Sequence, residues 1–173
     1  MTNEGILHTE IVSKALHEQY GAAIKMLENV LTSCPAEVWD ERTSGPPFWQ
    51  VAYHAMWYLD WYLGGSKEEH EAFIPNFEGE PFENMDKLAK ETLTREQLLN
   101  YLFDIKGKAD QRIGQITIEA LIQPPVFEWH GNSVLSSMLY NLRHVMLHIG
   151  ALNFRILREG IKLENWVSFS SIL

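Results

Sequence analysis

The sequence predicts an all-α fold, a four-helix bundle with one long crossover between helices two and three. Three observations predict it. Apolar residues recur at three- and four-residue steps in four separate stretches, the period of a helix with one buried face. No convincing set of alternating strand-like segments is present. Between the second and third stretches runs an acidic segment carrying proline and glycine, too long for a tight connection. At 173 residues the chain reads as one domain, 1–173, with no internal repeat, low-complexity tract or dividing linker.

Helix one is expected from about residue 6 to about residue 32. Val12, Leu16, Tyr20, Ala23, Leu27 and Val30 form its stripe, and Lys14, Glu18, Lys25 and Glu28 its solvated side. Ser33 and Pro35 end it, with a short helical turn through Trp39. Asp40 to Pro47 is a loop by composition, from Thr43, Ser44, Gly45, Pro46 and Pro47. Helix two, about Phe48 to Leu63, is apolar or aromatic on nearly every face, so it must be central or covered by a second subunit. Gly64-Gly65 stops it.

Residues 66–93 are the least regular. Ser66 to Ala72 suits a short charged helix, while Pro75, Gly79 and Pro81 oppose regular structure. Glu78, Glu80, Glu83 and Asp86 make the stretch acidic. Thr94 to Gln97 is a capping box that starts helix three. Its stripe is Leu98, Leu102, Ile105, Ala109, Ile113 and Ile116, and its end is expected near Glu119. Gly107 and Gly114 weaken a helix, which suggests close packing there. Val126 to His130 reads as an extended or turn segment. Gly131-Asn132-Ser133 caps helix four, expected from about Val134 to Glu159, with Gly160 in the C′ position. The tail is expected to pack over the bundle end through Trp166 and Phe169.

Charge and composition exclude several functions. The net charge is −9 with no Lys/Arg-rich run, which argues against nucleic acid and anionic membranes. No apolar run approaches the ~20 residues of a membrane span. Residues 1–5 show neither a basic nor an apolar leader region, so no secretory signal is expected. The single cysteine, Cys34, cannot form an internal disulfide and fits a cytoplasmic location.

The chemistry concentrates in histidine. His144 and His148 are four residues apart, which places both imidazoles on one helical face. His148 lies about 40° round from Leu152 and His144 about another 40°, both on the shoulder of the buried face. Two buried imidazoles without partners cost several kcal/mol, and a divalent cation satisfies both. His54, deep in apolar helix two, is the candidate third ligand, because ligands in a bundle converge from facing helices. Three imidazoles leave coordination positions open, as in a reactive site rather than a structural one. His8 and His70 read as solvent-facing and His17 as a boundary residue. His130 is compatible with a loop contact or a pocket mouth. Glu128 and Tyr140 lie near helix four but have ordinary surface or packing explanations. Cys34 reads as structural, and Trp49, Trp57 and Trp61 as core or interface.

Phe48-Trp49-Gln50-Val51-Ala52-Tyr53-His54, then Asn141-Leu142-Arg143-His144-Val145-Met146-Leu147-His148-Ile149-Gly150, then Leu157-Arg158-Glu159-Gly160 resembles the DinB-like superfamily over nearly the whole chain. The resemblance implies a four-helix bundle, often a homodimer. It implies a divalent metal, nickel or zinc and in some cases manganese, held by His54, His144 and His148. It further implies a transferase joining a low-molecular-weight thiol to a small electrophilic substrate. A metal-dependent hydrolase and a metal-binding bundle without turnover are the alternatives. A third reading has the histidines bonded to one another with no metal.

Overall fold

A computed structural model describes residues 3–43, 45–73, 77, 83–163, 166–170 and 172, with backbone alone for 3–9. All regular structure among them is helical. The long helices are α1 (Asn3–Ser33), α3 (Phe48–Tyr62), α5 (Arg95–Gly114) and α7 (Val134–Arg158). Between them lie the short α2 (Ala36–Trp39), α4 (Lys67–Glu71) and α6 (Ile118–Leu121), and a 3₁₀ turn over Glu128–His130. Helix α3 packs on α5 and α7, and α1 packs on the same two, so the four long helices close a ring.

The caps follow the sequence. Thr94 accepts from Gln97 N–H at 3.2 Å while Thr94 N–H donates to the Gln97 side chain at 2.8 Å, a complete capping box. Ser133 accepts from Ser136 N–H to open α7. Gly160, at φ 76°, closes it in a conformation that disfavours a β-carbon. Ser66 caps α4, the short charged helix anticipated after Gly65. The core runs through Tyr20, Leu27, Trp49, Met56, Ile105 and Leu152, each essentially inaccessible.

Helix α3 takes its place from polar groups it cannot leave unpaired. Asp60 accepts from Lys108 Nζ at 2.6 Å and from Tyr101 O–H at 2.9 Å, which ties it to α5. The Leu59 carbonyl accepts from the fully buried Asn141 amide at 3.2 Å, which ties it to α7. The buried Gln50 amide donates to the carbonyls of Asn84 and Lys87 and accepts from Ala89 N–H. That clasp lays the crossover against α3.

Several expectations are corrected. The third long helix stops at Gly114 rather than near Glu119, because Thr117 caps the separate α6 by accepting from Ala120 N–H. Gly107 and Gly114 face open space and make no close packing. Trp166 and Phe169 are 77% and 69% exposed, and the tail is instead anchored by Ile172, 1% exposed. His70 is half-buried against Trp61 and Phe127 rather than solvent-facing. The outer aromatics of α3 are covered in part by Phe73, His70 and Phe127 of the same chain. Pro75, Glu78, Gly79, Glu80 and Pro81 lie outside the described residues, as does the His8 side chain.

With nothing within 4 Å of a β-carbon at Gly107, Gly107→Ala gains helix propensity without a clash. Urea denaturation is expected to show the variant about 0.5–1 kcal/mol more stable than the parent.

Candidate metal centre

His54 projects from the middle of α3, and His144 and His148 from the middle of α7. The α3–α7 contact brings them together, with one ligand nitrogen from each within 4.8 Å of the others. The His54 ring centroid is 5.3 Å from that of His144 and 4.6 Å from that of His148. His144 Nε2 and His148 Nε2 are 3.1 Å apart. Two nitrogens each about 2.1 Å from one metal, at tetrahedral or octahedral angles, are separated by about that distance.

The orientation of His54 is fixed from behind. Its Nδ1 meets the Glu83 carbonyl at 2.5 Å. A carbonyl only accepts, so Nδ1 carries the proton and Nε2 keeps its lone pair for the cluster. This is the outer-shell contact that metal-bound histidines require. Glu83 precedes Asn84, whose carbonyl Gln50 holds. Gln50 is one helical turn before His54, so the clasp and the imidazole share a face of α3.

Burial sets the protonation. Desolvation, followed by the neighbouring imidazoles, lowers His144 and His148 from 6.5 to about 4. Desolvation lowers His54 too, partly offset by the Glu83 carbonyl and carboxylate. All three rings are neutral at pH 7, the state in which imidazole ligates a cation. In the absence of an ion, the two facing Nε2 atoms can share only one hydrogen bond, and His144 Nδ1 is buried with no partner. The donor set, its protonation and its spacing fit a divalent cation.

Around the cluster stands an aromatic wall. Tyr58 lies 4.7 Å from His54 and 5.2 Å from His144, ring to ring. Tyr62 follows at 6.4 Å from His144. His130 sits further along, buried and stacked on Tyr140 at 4.3 Å, with Nδ1 on the Ser137 hydroxyl at 2.7 Å. His17 is the anticipated boundary residue, 2.7 Å from Asp110 on α5. Glu128 is exposed, and Tyr140 is engaged with His130. Cys34 is buried, its thiol pushed up to about 12 chiefly by desolvation, which makes it unreactive. Trp49 is core, donating to Asp40 at 2.8 Å, while Trp57 and Trp61 pack on each other in the wall.

Gln50 and Glu83 were not evident from sequence as supports of this site. Gln50 had a signal, an amide inside an otherwise apolar helix one turn from His54. Glu83 had none, because it acts through its main-chain carbonyl.

The lowered histidines make the metal-free protein sensitive to acid. An unfolded histidine binds a proton near 6.5, whereas folded His130, His144 and His148 resist until about 4. The unfolded state therefore binds more protons in that window, and stability falls as pH drops through it. Denaturation in a chelator at pH 7 and pH 4.5 is expected to show a loss on the order of a few kcal/mol. His130→Gln should remove part of that loss.

No curated protein and no solved structure matches the chain. A family profile described as the DinB superfamily does match, over residues 19–152. That span includes all three histidines and all of α3 and α5, so the chain belongs to the DinB superfamily.

Proposed function

We propose that this protein binds one divalent metal ion through His54, His144 and His148, and that it is a transferase joining a low-molecular-weight thiol to a small electrophilic substrate. The observation that carries the metal reading is the convergence of three neutral, half-buried or buried imidazoles from two helices, two of their nitrogens 3.1 Å apart. Nickel and zinc both suit an imidazole set and are the metals the family resemblance implies, with manganese the third candidate. With three protein ligands, coordination positions are left for an exogenous group. A divalent ion there supplies the charge that lowers the pKa of a thiol. The chain's own part is to hold that charge in place: Glu83 orients His54, Gln50 holds the crossover, and Tyr58 and Tyr62 give an aromatic wall that suits an organic electrophile. A hydrolase acting through the same site, and a bundle that binds metal without turnover, are the alternatives. The single 1–173 domain and a cytoplasmic setting belong to the same proposal, the latter because Cys34 is alone and unpaired. Among the described residues no helix is long and apolar enough to cross a membrane.

Untagged protein is expected to carry close to one equivalent of metal by elemental analysis, lost on dialysis in His54→Ala and His144→Ala. Metal-free wild-type protein that fails to take up nickel or zinc would end the reading. Thiol consumption with an electrophile panel, with and without chelator, then separates transferase from silent binder. Turnover abolished by chelator supports the first.

We also propose a homodimer. Its support lies on α7, where Leu139, Leu147, Phe154 and Leu157 fall within about 80° of one another around the helix and stand exposed, Leu147 at 69% and Phe154 at 63%. Gly150 lies within the same stripe, with nothing within 4 Å of its β-carbon position, so a second helix can approach closely. Light scattering at micromolar concentration is expected to give twice the 20.0 kDa chain mass, and Leu147→Glu to give the single mass. A monomeric parent would refute it.

A further inference from the structure

Away from the histidines, a two-part cleft lies between the end of α3 and the connection from α5 to α7. Its inner part is a cavity of about 40 Å³ walled by Tyr62, Phe127, Val126, Pro125 and Met138. Its outer part is an open cleft of about 590 Å³ lined by Lys108, Gln111, Gln115 and Gln123. Arg112 borders both parts. The Arg112 side chain is half-buried, yet among the described residues it makes no hydrogen bond and no ion pair. Its guanidinium lies flat on the backbone at Gly65, so close that a β-carbon there would collide with it. A guanidinium carries five donors in a rigid fork, and here no described group of the protein takes them, so they stay available to a ligand in the cleft.

The surroundings specify the missing partner. Lys108 and Arg112 face the outer cleft, against the single carboxylate of Glu69, in a protein whose net charge is −9. Lys108 is neutralised by Asp60. Glu69 is held by Gly65 N–H at 2.5 Å. Among the described residues, Arg112 is thus the cation of this cleft with no hydrogen bond or ion pair of its own. His70 lines the same inner cavity, its Nδ1 buried against the Gly64 backbone. The inner walls are more apolar than polar, and a water needs roughly 10–15 Å³ by the same measure, so the cavity holds about three or four non-hydrogen atoms.

We propose that this cleft binds a small organic carboxylate, the acid group paired with Arg112 and a short apolar tail in the cavity behind Tyr62 and Phe127. A planar carboxylate matches the guanidinium fork with two parallel hydrogen bonds. This site does not depend on the metal. It is separated from the histidine cluster by Tyr62, and its test carries a metal-site variant to keep the two apart.

The full-length protein is titrated calorimetrically with sodium butyrate, butyramide and inorganic phosphate. Butyrate is expected to bind saturably with a Kd of about 1–10 mM, the range open to a six-atom ligand. Butyramide is expected not to bind. Arg112→Met should weaken butyrate at least about tenfold. Gly65→Ala should do the same without touching the arginine, because the new methyl displaces only the end of a flexible side chain. It also serves as the check if Arg112→Met does not fold. His144→Ala should bind as the parent does. No saturation with butyrate, parental affinity in both Arg112→Met and Gly65→Ala, or loss in His144→Ala would overturn the proposal, the last by placing the carboxylate on the metal. Phosphate binding as tight as butyrate would overturn the carboxylate assignment.

Discussion

The structure depends on how an apolar helix disposes of its few polar groups. Helix α3 is so hydrophobic that any side chain unable to reach water must find its partner inside the protein, at a cost of about 1–3 kcal/mol if it fails. Three such residues, Gln50, His54 and Asp60, are spread along the helix, and each recruits a different part of the chain. Gln50 takes the crossover, His54 takes Glu83 and the α7 histidines, and Asp60 takes Lys108 and Tyr101 of α5. Hydrophobic burial gathers the helices without direction. These polar contacts fix their rotation and register, and the histidine cluster follows from that register. Asn141 adds the reciprocal tie, because its amide on the Leu59 carbonyl sets α7 one turn before His144 presents its ring.

The same burial that constrains α3 prepares the histidines. Taking imidazoles out of water disfavours their charged form, so the rings stay neutral well below pH 7. A neutral ring has one donor nitrogen and one acceptor nitrogen, and three of them in contact cannot all pair with one another. His54 resolves its share through Glu83. The Nε2 atoms of His144 and His148 face each other and compete for one proton, while His144 Nδ1 has no partner at all. A cation is the one species that accepts all the inward lone pairs together. The apolar setting and the metal-ready chemistry are thus one property.

Local signals were legible in sequence wherever a residue acts through its own neighbours. The caps at Thr94, Ser133 and Gly160, and the four-residue spacing of His144 and His148, depend only on helix geometry, and each appears where expected. His54 was legible as a buried imidazole in need of a partner; its hydrogen bond goes to the Glu83 carbonyl, and its ring lies against His144 and His148 of α7. What sequence could not convey was tertiary placement. Gly107 and Gly114 suggested close packing, but they lie on the outer side of α5 and meet open space. Trp166 and Phe169 looked like the anchors of the tail by size, yet Ile172 fills that role because it reaches the α1 side, where its N–H approaches His17 Nδ1 at 3.4 Å. His70 sits in a charged stretch, but the end of α3 folds that stretch back against Trp61 and Phe127. Arg112 gave no hint, because an unpaired arginine is recognisable only once its surroundings are known.

The division of labour around the cluster follows from these constraints. Rigid helices supply all three imidazoles, whereas the irregular crossover supplies a main-chain carbonyl and the nearby Glu83 charge. A carbonyl is common to every residue type, so the hydrogen bond to His54 survives a change of side chain at 83 as long as the backbone holds position. Gln50 is what holds it, since its amide grips the backbone on both sides of the 84–87 turn and at Ala89. The ligand set is therefore insulated from changes in the crossover. The tautomer of His54, and with it the third inward lone pair, depends on a glutamine whose side-chain hydrogen bonds all go to the crossover backbone.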